Sequence, residues 1–291
     1  MNSNALNMAL QLSVQDIFSS SWFSSALMNR VWTEMMRSSL NGLIRNTGGA
    51  DPLGAALGGR LRGDAAMLRQ ASSNVSEAQS MMSMAAAATG NIASQLKEAQ
   101  KLAGDFLDLD PDDPNYMTLA EKFQAQYETI SKNIDSIIKT TMYNGIALLD
   151  GSAWGTDERL SVARDAGNNP VAASIHIQAG DDGFPLTFSN MSTEFADVVN
   201  GHPLFSDPEG TPRPEVLTEL SHLQSSAQIM ADLYAGRAGS LQGQATSLQS
   251  QSKILEEAAT QRAGTPAPMG MQNILLNLIL RDSGSIFSGK G

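Results

Sequence analysis

The chain has 291 residues, a formal net charge of −11, no cysteine and only 5% aromatic residues. The absence of cysteine excludes disulfides, thiol catalysis and thiolate metal sites. The negative charge argues against nucleic-acid binding, which requires clustered Lys and Arg. The first 20 residues lack the basic start and apolar run of a signal peptide. The longest apolar stretch, 274–280, is far shorter than the ~20 residues that cross a bilayer. We therefore expect no nucleic-acid partner, no stable membrane span, and either a cytosolic location or export without a cleaved signal peptide.

An amphipathic segment spans about residues 14–43, near the start of the chain. Its apolar positions are Ile17, Phe18, Trp22, Leu27, Val31, Met35 and Leu40. A second apolar helix, 269–280, is predicted near the end. Each segment has too few apolar residues to form a core alone, and exposed apolar patches usually mark interfaces. We therefore predict that these segments make contacts between molecules, through Trp22, Phe23, Val31, Trp32, Leu275, Leu276, Ile279 and Leu280.

A long helix is predicted from Arg60 to about Ala103. Its first set of core positions repeats every seven residues: Leu61, Leu68, Val75, Met82, Thr89 and Leu96. Small or apolar residues follow most of these positions by three: Ala71, Ala78, Ala85, Ile92 and Ala99. This is the a/d pattern of a coiled coil. Because the second set is nearly all alanine, we expect the partner helix to pack closely.

A second helix is predicted from Thr118 to about Met142, after a Pro- and Asp-rich break. The sequence Thr118-Leu119-Ala120-Glu121 matches a capping box and predicts the start of the helix. Spacings of three and four place one apolar stripe on a single face: Leu119, Phe123, Tyr127, Ile130, Ile134 and Ile137. Asn144-Gly145 is expected to terminate this helix.

The segment from Ser152 to Pro214 has no helical period and is rich in Gly, Pro, Asn and Asp. Residues 174–177 and 184–188 alternate between apolar and polar side chains, and Asp181-Asp182-Gly183 can form the turn between them. This pattern predicts a short β-hairpin. The rest of the segment is predicted to be loop, with one short helix at about Glu194–Val199.

A third long helix is predicted from Glu215 to about Arg262. Its heptad positions are Leu220, Ala227, Tyr234, Leu241, Leu248 and Leu255. The predicted fold is mainly α: a long antiparallel helical bundle or coiled-coil hairpin with a small β-hairpin insert. We predict terminal helices at 1–46 and 264–291, a bundle core at 47–151 and 215–263, and the loop-rich insert at 152–214. The helix-packing core should contain Leu61, Leu68, Val75, Met82, Leu96, Phe123, Ile130, Ile134, Ile137, Leu220, Tyr234, Leu241, Leu248 and Leu255.

No pattern of catalytic, cofactor-binding or metal-binding residues is present. His176, His202 and His222 lack metal-ligand spacing, so surface or structural roles are expected. The aspartates at 108–113 do not match a calcium loop, because the sixth and twelfth positions are Asp113 and Leu119. No phosphate loop and no nucleophile elbow occur. We therefore predict no enzymatic activity and no cofactor.

Several motifs resemble the bacterial flagellin family. Residues 140–145, TTMYNG, and 148–151, LLDG, are similar to that family's TTEFNG and LLDG elements. Looser similarities occur at 91–98, 175–188 and 239–242, in the same order as in flagellins. The resemblance implies a filament subunit whose terminal helices form an inner tube and whose long helices form the surrounding shell. The implied partners are further copies of the chain, other flagellar subunits and an export chaperone, and the implied location is the extracellular flagellum.

The sequence departs from the flagellin pattern at both ends, where Trp22, Trp32 and the tail 278–281 are unusual. The resemblance therefore extends to a divergent, minor or junctional flagellin-like protein. Ala93, Ser94 and Gln95 replace residues that innate immune receptors read in flagellins, which implies weak recognition. The alternative is a secreted flagellin-like protein, or a type III secretion effector or translocator, that is not a main filament component. An enzyme with a dispersed site has no positive support.

Overall fold

The computed structural model describes residues 52–180, 182–199, 204 and 213–264. By packing, the chain divides into two compact units. Within the described residues, the first unit contains 76–177, 183–199, 204 and 213–242, and the second contains 52–75, 178–180, 182 and 243–264. The predicted terminal helices and all eight candidate contact residues within them lie outside the described residues. The predicted division into terminal, bundle and insert segments stays a prediction.

Two long helices contain most of the described chain. Helix α1 spans Pro52–Leu107 and helix α5 spans Glu215–Gly264. Helix α5 begins at the predicted residue and ends two residues after the predicted end, whereas α1 begins eight residues before Arg60 and ends four residues after Ala103. Both helices are rich in Ala, Leu and Gln, which are strong helix formers. The predicted fold class, mainly α with a small β insert, is confirmed. Thr89, at a heptad position of α1, is fully buried, and its hydroxyl donates to the carbonyl of Ala85 at 2.7 Å.

Helix α2 spans Tyr116–Thr140, and it corrects two predictions about helix ends. The helix begins two residues before Thr118, and its N-cap residue, Asn115, makes no capping hydrogen bond through its side chain. The predicted capping box is therefore wrong. An aromatic cluster at this end links the helices instead: the Phe106 ring lies 6.3 Å from Tyr116 and 6.1 Å from Phe123. Such ring pairs stabilise beyond their buried area.

The Asn144-Gly145 pair forms a hairpin turn. Strands β1 (Met142–Tyr143) and β2 (Ile146–Ala147) pair antiparallel on either side of it. Asn144 has φ 48° and Gly145 has φ 79°, the positive values that a two-residue hairpin turn requires. The helix has already ended at Thr140, so the prediction that Asn144-Gly145 terminates it is wrong. The same dipeptide suits both structures, and strand pairing selects the hairpin.

A three-stranded sheet follows a 3-10 helix at Gly151–Thr156. Its strands are β3 (Leu160–Arg164), β4 (Pro170–Ala179) and β5 (Asp182–Ser189), in the order β3-β4-β5. Strands β4 and β5 include the predicted hairpin, whereas β3 was not predicted. Two short helices, α3 (Met191–Glu194) and α4 (Ala196–Val199), complete this region.

Candidate functional site

The predicted core positions differ in burial along the helices. Ten of them are buried: Leu68, Val75, Met82, Leu96, Ile130, Ile134, Leu220, Tyr234, Leu241 and Leu255. The other four are only half-buried: Leu61, Phe123, Ile137 and Leu248. In α2 the fully buried side chain next to Ile137 is Ile138, at 1% exposure. The apolar stripe of α2 therefore rotates slightly toward Ile138 at its C-terminal end.

In the second unit, α1 and α5 run antiparallel and are joined by two reciprocal hydrogen bonds. The Ser252 hydroxyl of α5 donates to the carbonyl of Ala65 in α1 at 2.8 Å. Seven residues along α1, the Ser72 hydroxyl donates back to the carbonyl of Ala245 in α5 at 2.9 Å. A side chain as short as serine reaches a backbone carbonyl of another helix only where the two backbones approach closely. The small heptad residues predicted this close packing.

An apolar cluster accompanies these hydrogen bonds. Ala65, Leu68 and Leu255 form its buried part, with Leu61 and Leu248 packed against them. Four of these five residues are predicted core positions from opposite helices. An exposed ion pair between Arg69 and Glu256 lies in the same unit. Exposed pairs of this kind contribute little to stability, so the apolar cluster and the two serine bonds hold this part of the hairpin.

A connected group of polar side chains in the first unit lies where the chain leaves β2 and where it returns from β5. The Asp150 carboxylate accepts from the backbone and hydroxyl of Ser152, at 3.0 and 2.7 Å, and from the Ser192 hydroxyl at 2.7 Å. The Asn190 side-chain oxygen accepts from the amides of Gly151 and Ser192, at 3.0 and 3.1 Å. We call Asp150, Gly151, Asn190 and Ser192 the insert junction.

Further hydrogen bonds connect the insert junction to the neighbouring backbone and side chains. The Asn190 amide nitrogen donates to the carbonyl of Pro170 and to the Thr193 hydroxyl, at 2.7 and 2.8 Å. Backbone bonds run from Asn190 to Val171 and from Met191 to Leu149, at 3.0 and 2.9 Å. Buried polar groups are costly unless every partner is present. The junction therefore fixes the start of the 3-10 helix relative to the residues that follow strand β5.

Charge and packing both favour this arrangement. Burial alone raises the pKa of Asp150, but hydrogen bonds from Ser152 and Ser192, with the nearby Lys139 charge, hold its pKa below the usual value. The carboxylate is therefore ionised at neutral pH and accepts all three bonds. Next to it, Trp154 is 1% exposed, and its indole N–H donates to the carbonyl of Ala147 at 2.8 Å. Trp154 thus anchors the 3-10 helix beneath the β1–β2 hairpin.

Helices α2 and α5 hold the other side of the sheet region. The Tyr234 hydroxyl accepts from the backbone amide of Ser189 at 2.9 Å, and its ring lies 6.2 Å from Phe188. The Ser131 hydroxyl donates to the carbonyl of Val198 at 2.6 Å, at the C-terminal end of α4. Tyr234 was predicted as a core residue, whereas no sequence pattern predicted the contact of Ser131. The local sequence around a serine in a polar stretch of helix does not indicate that its hydroxyl bonds to a distant carbonyl.

Glu194 is a partly buried carboxylate at the end of α3. Burial raises its pKa, although His222 and a hydrogen bond from Ser226, both on α5, act in the opposite direction. A raised pKa in the folded state stabilises the fold at low pH, and this contribution is lost as pH rises through the folded-state pKa. We therefore expect Glu194→Gln to raise the melting temperature at pH 7 and to have no effect near pH 4.

Thermal melts of both proteins across pH 4–8 measure this difference. Glu257→Gln, at an exposed position of α5, is the matched control and should be neutral throughout. A lower melting temperature for Glu194→Gln at pH 7 would mean that attraction to His222 outweighs burial.

The described residues contain no group of three or more His, Asp or Glu side chains that could hold a metal ion. A cavity of about 10 Å³ beside Tyr127, Glu219 and Leu220 has room for one water molecule. Burial, with the Glu219 charge, raises the pKa of Tyr127 to about 12, while Arg213 opposes this shift. None of the helices described is both long and apolar enough to cross a bilayer.

Comparison with known proteins shows which proteins the N-terminal half of the chain resembles. Residues 25–153 match the bacterial flagellin N-terminal helical region. A flagellin from Clostridium tyrobutyricum is 32% identical over 123 residues, which cover 42% of this chain and 32% of that protein. The chain thus aligns with about a third of the length of this curated relative. The matched region contains helices α1 and α2, the β1–β2 hairpin and Asp150-Gly151 of the insert junction. The resemblance predicted from the sequence motifs is confirmed.

Proposed function

We propose that this chain, whose residues 25–153 match the bacterial flagellin N-terminal helical region, is a flagellin-family protein and a structural subunit of the bacterial flagellar filament. It acts by self-assembly through its terminal segments and long helices, and its partners are further copies of itself and other flagellar subunits. The observation that carries the proposal is the match over this region, together with the antiparallel pair of long helices.

The packing of the helices supports a role as a rigid building block. The two serine-to-carbonyl bonds and the leucine cluster fix the register of α1 against α5 in the second unit. In the first unit, the insert junction and Trp154 hold the sheet region by hydrogen bonds, and no buried side-chain nitrogen or oxygen among the described residues lacks a partner. A subunit that repeats many times in an assembly needs such a fixed shape, because small deviations accumulate along the repeat.

The terminal segments supply the proposed assembly contacts. Their apolar residues include Trp22, Trp32, Leu276 and Ile279, and they are too few to form a separate core. Burial of these side chains between neighbouring subunits would provide the driving force, at roughly 25 cal/mol per Å² of apolar surface. Folding coupled to association of this kind makes assembly depend on subunit concentration. Export to the cell surface without a cleaved signal peptide, with the help of a chaperone, completes the proposal.

Filaments sheared from cells that express the full chain provide the test. Peptide mass spectrometry should find this chain as a stoichiometric component of the filament. Leu276→Glu places a charge in the proposed contact and should remove the chain from filaments while it is still exported. Gln249→Glu, an equal charge change at an exposed position of α5, is the control and should leave incorporation intact.

Two other outcomes would replace the proposal. If wild-type chain is absent from filaments but free in the medium, the protein is a secreted flagellin-like protein outside the main filament. If purified chain binds liposomes and does not polymerise when seeded, the type III effector or translocator interpretation gains support. Incorporation of Leu276→Glu at the wild-type level would show that Leu276 in the C-terminal segment does not make the assembly contacts.

A further inference from the structure

Methionine is exposed in this structure where leucine is not. Half of the methionines in the described part of the chain are buried: Met81, Met82, Met191 and Met230. The other half are exposed: Met67, Met84, Met117 and Met142. By contrast, every leucine whose burial is described is buried or half-buried, although both residue types usually lie in protein interiors. Among these residues the exposed large apolar side chains are therefore the four methionines and Ile229.

Helix α1 contains both kinds of methionine within one turn. Met82, a predicted core residue, is 1% exposed, whereas Met84 is 40% exposed. Two positions along an α-helix correspond to a rotation of about 200°, so the two side chains lie on nearly opposite sides of α1. The neighbouring sequence is almost the same for both residues. The fold alone therefore decides which of the two sulfur atoms is accessible to a solute.

The sulfur atom gives an exposed methionine a reaction that an exposed leucine lacks. A hydroperoxide transfers one oxygen to the thioether: its O–O bond breaks, an S–O bond forms, and the remaining oxygen leaves as water or an alcohol. The sulfur is oxidised to a sulfoxide and the peroxide is reduced. The chain has no cysteine thiol to compete for the oxidant. The sulfoxide is polar, so it disrupts a core but is compatible with a solvated position.

Exposed apolar side chains can also mark an interface when they form a contiguous patch. Met117 follows Tyr116, whose ring lies 6.3 Å from that of Phe106 near the end of α1. Met84 precedes Phe106 by about six turns of the same helix, roughly 30 Å at 5.4 Å per turn. No single apolar patch therefore includes the exposed methionines.

We propose that Met67, Met84, Met117 and Met142 are reversible oxidation sites, which accept oxygen from hydroperoxides while the fold stays intact. Packing shields the buried methionines from the same oxidants. Methionine sulfoxide reductases are the class of enzyme that returns the sulfoxides to thioethers. The inference goes beyond the proposed filament role and does not rest on it, because it depends on the burial of each side chain within one molecule.

Hydrogen peroxide treatment of the purified full chain, followed by peptide mass spectrometry, tests access to the sulfur atoms. The four exposed methionines should be oxidised at least several-fold faster than Met82, Met191 and Met230. Fragmentation of the peptide that contains residues 81–84 compares Met82 with Met84 directly. In urea, where the chain is unfolded, the rates should become equal, which shows that the fold causes the difference. Equal oxidation rates of Met82 and Met84 in the folded chain would overturn the proposal.

Glutamine variants test whether a polar side chain is tolerated at the exposed positions. Glutamine is polar and similar in length to methionine, so it imitates the sulfoxide. Met84→Gln and a variant with all four exposed methionines replaced by glutamine should melt at the wild-type temperature, whereas the matched control Met82→Gln should melt at a clearly lower one. A fourfold variant as unstable as Met82→Gln would show that oxidation at these positions disrupts the fold, against the proposal.

Reversal of the oxidation is the third measurement. The oxidised, folded chain is incubated with both stereospecific methionine sulfoxide reductases and dithiothreitol as the reductant. The sulfoxides at 67, 84, 117 and 142 should return to methionine, with the added oxygen released as water. Sulfoxides that persist in the folded chain but are reduced in its peptides would exclude reversible oxidation of the native protein.

Discussion

Replacement of Gly151 by alanine should destabilise the first unit by about 2–4 kcal/mol, in the range of mutations that break a buried polar network. A Cβ atom at Gly151 would overlap the side-chain amide of Asn190. That amide cannot simply move aside, because it accepts from Gly151 and Ser192 and donates to Pro170 and Thr193. Displacement would leave buried partners unsatisfied, and each unsatisfied group costs about 1–3 kcal/mol.

Urea unfolding followed by circular dichroism measures the change, and hydrogen exchange locates it. Amides of the 3-10 helix and of β4 should exchange faster in Gly151→Ala. The matched control is Gly239→Ala, because nothing lies within 4 Å of a Cβ at this position in the interior of α5. That substitution should stabilise the protein by up to about 1 kcal/mol, since glycine is a poor helix former. If the two alanine variants have equal free energies of unfolding, steric overlap with Asn190 does not determine the stability of Gly151→Ala.

Leu255→Ala should destabilise the second unit by about 2–5 kcal/mol, the usual cost of truncating a buried leucine. Leu255 is 4% exposed and packs with Ala65 and Leu68 at the centre of the cluster. The surrounding residues cannot fill the resulting cavity easily, because the reciprocal bonds of Ser72 and Ser252 hold the two backbones at a fixed separation. The loss should therefore lie in the upper part of this range.

The same unfolding measurements test this prediction, with Ile254→Ala as the control. Ile254 precedes Leu255 on α5 but is only half-buried, so its truncation should cost clearly less. Comparable losses for the two variants would show that helix propensity, and not the leucine cluster, dominates this part of α5. Because the chain contains two units, a single transition should be demonstrated before either free energy is compared.

Local sequence patterns were sufficient to predict the long helices. The seven-residue repeats of Leu68, Val75 and Met82, and of Leu241, Leu248 and Leu255, predicted both helices, although α1 begins eight residues before the predicted start. They did so because apolar periodicity is a property of the chain itself and requires no knowledge of the partner. The alternating residues of 174–177 and 184–188 predicted two strands in the same way. The TTMYNG and LLDG motifs predicted the resemblance to flagellins that the comparison found over residues 25–153.

Only the tertiary structure decided the features that depend on distant partners. Asn144-Gly145 suits a helix end and a hairpin turn equally, and the pairing of Met142 with Ala147 selects the hairpin. Strand β3 is short and has no clear alternation, so its pairing with β4 defines it. The insert junction joins Gly151 to Asn190 and Asp150 to Ser192, in each case about 40 positions away. A hydrogen bond between such distant residues leaves no periodic pattern in the sequence, because its strength depends on where the fold brings the two groups.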